Sequence, residues 1–208
     1  MDIRNHNLPE KLKRNTKAHR IRKNKKKLGR SIEERPKEVE NRQEFGHWEA
    51  DLVVGQKSGN DQVLLTLVER KSREYWMLPI KNCHADFVME AFHVLQKTYS
   101  EHFSQVFKKI TTDNGSEFSR LSELEELSET LVFYTHPYTS CEKGTNERHN
   151  GIIRRFIPKG KRISDFDVDY IADIEIWCNS LPRKILNYRT PDEVFEDELD
   201  LIYRQTAS

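Results

Sequence analysis

Between His47 and Ile80 the sequence presents three apolar runs of strand length, and the short polar connections between them favour an antiparallel meander. His47-Trp48-Glu49-Ala50-Asp51-Leu52-Val53-Val54 closes at Gly55 and a polar turn through Gly59-Asn60. Gln62-Val63-Leu64-Leu65-Thr66-Leu67-Val68 reads as a buried strand, and Glu74-Tyr75-Trp76-Met77-Leu78-Pro79-Ile80 as a third. From Ala85 to Tyr99 the apolar period lengthens to that of a helix, through Phe87, Val88, Ala91, Val94 and Leu95. Val106 to Thr112 returns to strand and ends in the turn signal Asp113-Asn114-Gly115. A short acidic helix around Leu121 to Leu127, a strand from Leu131 to Tyr134 and a helix from about Thr145 to Phe156 follow, the last stopped by Pro158 and Gly160. Two helices finish the chain, one over Asp167 to Asn179. The other opens at Thr190-Pro191-Asp192-Glu193, with Thr at the N-cap and Glu three residues on. This order predicts an α/β domain, a mixed sheet flanked by helices.

Charge divides the chain in a way the net value of +1 hides. Residues 1–45 hold 15 Lys and Arg against 7 Asp and Glu, whereas the remainder holds 20 against 27. Residues 11–30 contain 11 basic residues and no acidic one, and their apolar residues Leu12, Ala18, Ile21 and Leu28 are too sparse to bury a helix face. Residues 1–44 are therefore expected to form a basic arm, disordered until it meets a polyanion, with Lys23, Lys25, Lys26 and Lys27 as phosphate contacts. The expected core spans 45–160, and 161–208 form a C-terminal helical extension. The longest nearly apolar run, Val63 to Val68, is far short of a membrane span. No secretory signal is visible at the N-terminus. Cys83, Cys141 and Cys178 form no CxxC pair, which argues against a disulfide scaffold or zinc finger and fits a reducing cytoplasm.

Among 34 acidic residues most are surface decoration, so position must select the informative ones. Asp51 sits inside an otherwise apolar strand, where an unpaired carboxylate is costly, and shares a face with Glu49 and His47 by alternation. Asp113 ends a strand beside a Gly turn, although Asp-Asn-Gly is also ordinary turn chemistry. Glu147 falls in the first turn of a helix, where the helix dipole alone would favour it. Arg154 lies two turns further along the same helix, either facing solvent or meeting a phosphate. Together, two strand-end carboxylates and one from a helix supply the hard oxygens that Mg²⁺ takes. Two such ions can activate an attacking oxygen and stabilise a leaving one in phosphodiester chemistry.

The element order is compatible with a ribonuclease H-like fold without being unique to it. Asp51, Asp113 and Glu147, with 61 and then 33 intervening residues, resemble the DDE transposase and retroviral integrase superfamily. Local motifs narrow this to a resemblance to transposases of the insertion-sequence-30 family. They are Gly29-Arg30-Ser31-Ile32-Glu33-Glu34-Arg35-Pro36, Phe45-Gly46-His47-Trp48-Glu49-Ala50-Asp51, Thr112-Asp113-Asn114-Gly115-Ser116-Glu117-Phe118 and His136-Pro137-Tyr138. Glu142-Lys143-Gly144-Thr145-Asn146-Glu147-Arg148-His149-Asn150-Gly151, Phe156-Ile157-Pro158-Lys159-Gly160, Asn179-Ser180-Leu181-Pro182-Arg183-Lys184 and Thr190-Pro191 continue the series.

The resemblance implies a ribonuclease H-like core whose catalytic triad, Asp51, Asp113 and Glu147, holds two Mg²⁺ or Mn²⁺ ions. It implies DNA transposition: water frees a 3′-hydroxyl at the element end, and that hydroxyl attacks target DNA. Arg154 matches the basic residue that follows the family's Glu, and Arg155 and Lys159 join it as expected DNA contacts. Asn114, Gly115, Tyr138, Asn146 and Asn150 are expected to shape the site. The implied partners are double-stranded DNA and further copies of the chain, in a bacterial, nucleoid-associated setting. The family's N-terminal helix-turn-helix segments are not found in residues 1–45, so the chain is expected to be the catalytic portion. The alternative is a non-catalytic DNA-binding or assembly fragment that modulates a full-length transposase. A ribonuclease H-like nuclease that only hydrolyses is a third reading, against which no aromatic stacking motif suggests an RNA-hybrid reader.

Overall fold

The computed structural model of the chain describes residues 28–56, 61–136 and 144–206. Six strands form one mixed sheet: β1 (Arg30–Ser31), β2 (His47–Val54), β3 (Val63–Glu69), β4 (Tyr75–Ile80), β5 (Lys109–Thr112) and β6 (Leu131–Tyr134), in the order β1-β6-β5-β2-β3-β4. The meander read from the sequence is β2-β3-β4, antiparallel throughout. β5 joins β2 in parallel, and β6 joins β5 in parallel. The helices are α1 (Ala85–Tyr99), α2 (Phe103–Val106), α3 (Leu124–Leu127), α4 (Gly144–Phe156), α5 (Val168–Asn179) and α6 (Pro191–Thr206), joined by short 3₁₀ turns.

Alternation along the strands sorts side chains onto two apolar layers. Trp48 and Ala50 of β2, Val63, Leu65 and Leu67 of β3, and Ile80 of β4 meet Val88, Met89, Phe92 and Leu95 of α1. The opposite residues, Val53, Leu64, Val68, Tyr75 and Met77, pack against Ile153 of α4, Ile157 just beyond it, and Ile171, Ile174 and Cys178 of α5. His47, Glu49 and Asp51 fall on this second face. β2 ends at Gly55, where a Cβ would lie 2.2 Å from the Lys161 carbonyl oxygen, so only glycine lets the chain beyond α4 approach this closely.

Three boundaries differ from the sequence reading. Val106 closes helix α2, and strand β5 begins only at Lys109. The Phe107 amide continues the helical pattern by donating to the Phe103 carbonyl at 2.7 Å, and Trp48 Nε1 donates to the Val106 carbonyl at 2.7 Å. A short apolar run satisfies either element until such partners choose. Order begins well before Phe45: β1 pairs in parallel with β6, and Val39 and Arg35 are buried. Arg35 tolerates burial because it pairs with Glu40 and donates to Thr111 Oγ1 at 2.9 Å. At the other end, Phe195 and Leu199 of α6 enter the first apolar layer beside Phe45 and Trp48. Residues 1–27, including Lys23, Lys25, Lys26 and Lys27, lie outside the described residues.

Candidate functional site

The β2–β5 register governs the site. His47 pairs with Lys109, Trp48 with Ile110 and Glu49 with Thr111. Extending that offset by two residues sets Asp51 beside Asp113, on neighbouring strands and on the same face. Both carboxylates are half-buried. Asp51 Oδ1 accepts from the Leu52 amide at 3.0 Å, and Asp113 Oδ1 accepts from the Gly115 amide at 3.3 Å. The Asp-Asn-Gly turn therefore does what its composition favours while also presenting a carboxylate at the strand end. The neighbouring Asn114 accepts from the Leu28 amide through Oδ1 at 3.3 Å.

Helix α4 lies on this face and is fastened by polar side chains at three successive turns. Glu49 is fully buried, yet both of its oxygens are used: Oε1 accepts from Arg70 Nη1 at 2.6 Å and Oε2 from the Asn146 amide at 2.9 Å. Asn146 returns the contact, Nδ2 donating to the Glu49 carbonyl at 3.1 Å, while its Oδ1 accepts from Thr66 Oγ1 at 3.2 Å. One turn on, Asn150 Nδ2 donates to Asp51 Oδ2 at 2.9 Å, and Asn150 Oδ1 accepts from the Tyr75 hydroxyl at 2.9 Å. An ionised carboxylate can only accept, so the Asn150 amide must turn its NH₂ toward Asp51. Burial raises the Tyr75 pKa well above the ordinary phenol value and keeps its hydroxyl available as the donor. A turn further, Arg154 Nη2 donates to the Val54 carbonyl at 2.8 Å, at the end of β2.

The expected site residues thus have different surroundings. The parallel register sets Asp51, inside β2, level with Asp113, the residue that follows β5. The backbone of Glu147 lies in α4 between Asn146 and Asn150, and its side chain lies outside the described residues, as does Tyr138. Among the described residues no three His, Cys, Asp or Glu side chains gather as a metal-holding group. Arg154 is half-buried and tied to the protein through Nη2, and burial lowers its pKa. Arg155 and Lys159 are exposed near the end of the same helix. His47, on the face of Asp51, has its pKa lowered to about 4 by burial and then by Lys109, so its imidazole is neutral at pH 7.

Two features of the site were missed in the sequence. Tyr75 reads there as one more core aromatic, and only its strand parity places it on the Asp51 face. Arg70 reads as part of a polar turn, although it is the buried counter-charge of Glu49.

This sheet order, with its flanking helices, defines a ribonuclease H-like domain of the integrase-core type. The catalytic core domain of BIV integrase superposes with a TM-score of 0.55 at 17% identity, over 76% of this chain and 98% of that one. The HTLV-2 integrase catalytic core domain in complex with magnesium (trimeric form) gives 0.50 at 18% identity, over 73% and 97%. No protein-family model matches the chain. In sequence it is 38% identical, over 94% of its length and 55% of the relative's, to a probable transposase for insertion-like sequence element IS1161 of Streptococcus salivarius. It is 36% identical to the transposase for insertion sequence element IS4351 of Bacteroides fragilis, over 79% of this chain and 49% of that protein. The transposase InsI for element IS30C of Escherichia coli (strain K12) is 33% identical, over 81% and 42%. The chain is a homologue of the IS30-family transposases and spans about half the length of these relatives.

Proposed function

We propose that this chain carries out metal-dependent polynucleotidyl transfer on DNA, the strand cleavage and strand transfer of transposition. The observation that carries the reading is the register of β2 on β5, which brings Asp51 level with Asp113 beneath the helix that contains Glu147. In this reading the three carboxylates form the catalytic triad and hold Mg²⁺ or Mn²⁺, two ions in all. The donor chemistry fits, since half-buried carboxylate oxygens are the hard ligands these ions take. When bound, the metal activates the attacking oxygen and stabilises charge on the leaving one.

The chain's own residues prepare that chemistry. The Leu52 amide and the Asn150 amide hold the two oxygens of Asp51 in one orientation. Tyr75 holds Asn150, and the Glu49–Asn146 pair holds the start of α4, so the helix that bears Glu147 is fixed relative to β2. Arg155 and Lys159, both exposed, contact DNA phosphates together with Lys23, Lys25, Lys26 and Lys27 of the arm, whereas Arg154, whose Nη1 is buried and whose Nη2 binds the Val54 carbonyl, ties α4 to the end of β2. The setting is a homo-oligomer assembled on double-stranded DNA in the bacterial cytoplasm.

The test is a labelled duplex with a recessed 3′-hydroxyl, incubated with the full chain and Mn²⁺ and resolved on a denaturing gel. Nicked or joined products are expected from the wild type and background levels from Asp51→Asn, Asp113→Asn and Glu147→Gln. Product that persists in the Glu147→Gln variant would remove Glu147 from the triad. A wild type inert with both Mg²⁺ and Mn²⁺ would sink the enzymatic reading in favour of an assembly fragment.

A further inference from the structure

On the flank of α4 away from Asp51 lies an open cleft of about 790 Å³. Five cationic side chains line it: Arg42, Arg73, Arg148, Arg183 and Lys184, together with Thr145 and His149. They come from four separate segments: the turn before β2, the β3–β4 connection, the start of α4 and the loop after α5. Among the described residues no carboxylate lines the cleft. Among the described residues the cleft wall thus gathers charge of one sign, and the carboxylates that act on Arg73, Glu49 and Glu69, are not part of it. Arg73 is itself buried, and burial first, then Arg42 and Arg70, lowers its pKa to about 10 against the opposing pull of Glu49 and Glu69.

The wall also holds polar atoms with nothing to bond. Thr145 and His149 are more than nine-tenths buried, yet among the described residues Thr145 Oγ1 and His149 Nε2 have no hydrogen-bond partner, and neither does Arg183 Nε. Orphaned polar groups of this kind carry a desolvation cost and sit just behind the cleft surface. Arg183 is nonetheless oriented, because its Nη2 donates to the Cys178 carbonyl at 2.8 Å. Arginine forks are suited to bidentate contact with phosphate oxygens.

We infer that this cleft is a phosphate-binding site for the DNA backbone, separate from the carboxylate site and on the other flank of α4. The inference rests on the reading that the chain acts on DNA. Five cations exceed what one inorganic phosphate needs, and an open cleft admits a continuous strand, so consecutive backbone phosphates fit better than a small anion. The same helix then presents Asn150 to the carboxylate side and Arg148 to DNA. Phosphate contacts of this kind position a duplex without reading its sequence.

The experiment uses the full chain and a fluorescent duplex of arbitrary sequence, with anisotropy followed over a salt series. The probe variant is Arg148→Glu with Lys184→Glu, both exposed. The control is Lys81→Glu with Lys97→Glu, two exposed cations that do not line the cleft and carry the same total change of charge. The probe variant should weaken binding at least tenfold and lower the slope of log K against log salt by about two, one for each lost contact. The control should change neither by a comparable amount. Pyrophosphate is the second probe, read as a melting shift. A shift that the probe variant loses, with duplex affinity unchanged, would make this a small-anion site and overturn the backbone assignment. Equal effects of control and probe variant would reduce the cleft to net charge. Strand cleavage measured in parallel separates the two readings. Wild-type-like binding and cleavage in the probe variant defeats the cleft alone, whereas cleft-dependent binding by a wild type that never cleaves defeats the enzyme alone.

Discussion

At the scale of the residue, the orientation of Asp51 depends on a two-step relay. The Tyr75 hydroxyl fixes the Asn150 amide, and the amide fixes one carboxylate oxygen. Groups behind a metal ligand commonly contribute about 10–100-fold in metal affinity or activity. Asn150→Ala is accordingly expected to weaken the Mn²⁺-induced rise in melting temperature by about that factor in half-saturating concentration, while the metal-free protein stays folded. Asp51→Asn should abolish the rise. Tyr75→Phe has a second cost, since it strands the Asn150 carbonyl in the interior, worth about 1–3 kcal/mol in urea unfolding. An Asn150→Ala protein with an unaltered Mn²⁺ response would separate this amide from the site.

At the scale of the element, β4 is one edge of the sheet, opposite β1, and α5 closes it with side chains. The Tyr75 amide donates to Asn179 Oδ1 at 3.0 Å, the Met77 amide donates to a Glu175 carboxyl oxygen, and Pro79 has no amide to offer. The outward row of donors is thus consumed, which blunts edge-to-edge association. This arrangement buries acids. Glu175 is pushed up to about 7 by burial, and Glu74 to about 8 by burial and then by Asp192. The unfolded chain sheds both protons near 4.5, whereas the folded one keeps them until pH 7–8. Their contribution to stability is therefore complete below about pH 4.5 and is lost as pH rises through 7–8. Glu175→Gln keeps an acceptor for Met77 but cannot ionise. Relative to that variant, the wild type should lose roughly 1–3 kcal/mol between pH 5 and pH 8, read from urea midpoints. Parallel pH profiles for the two proteins would contradict the assignment.

At the scale of the whole molecule, the chain's end completes the core. Phe195 of α6 is 4% exposed, with its ring 5.3 Å from Phe45, 5.9 Å from Trp48 and 5.4 Å from Trp76. Phe195→Ala should cost about 3–5 kcal/mol of stability, a core-sized loss that a peripheral extension would not produce. A loss below about 1 kcal/mol would show that α6 is dispensable to the core.

What the sequence determined by itself was local. The strand-length apolar runs of β2, β3 and β4 and the helical period over 85–99 specify the elements, because run length and period are properties of neighbouring residues whatever lies opposite; β3 is buried at every position. The capping box at Thr190 is also local, and both of its bonds form, Thr190 Oγ1 with the Glu193 amide at 3.2 Å and Glu193 with the Thr190 amide at 2.8 Å. Asp51 was conspicuous because a carboxylate inside an apolar strand demands a reason. Tertiary structure alone decided the parallel register that sets Asp51 beside Asp113, the Tyr75–Asn150 relay, the place of β1 on β6 and the convergence of four segments on the cationic cleft. These pair residues far apart in the chain, and their selection rests on which apolar faces and buried polar groups can satisfy one another at once. No window of neighbouring residues contains that condition.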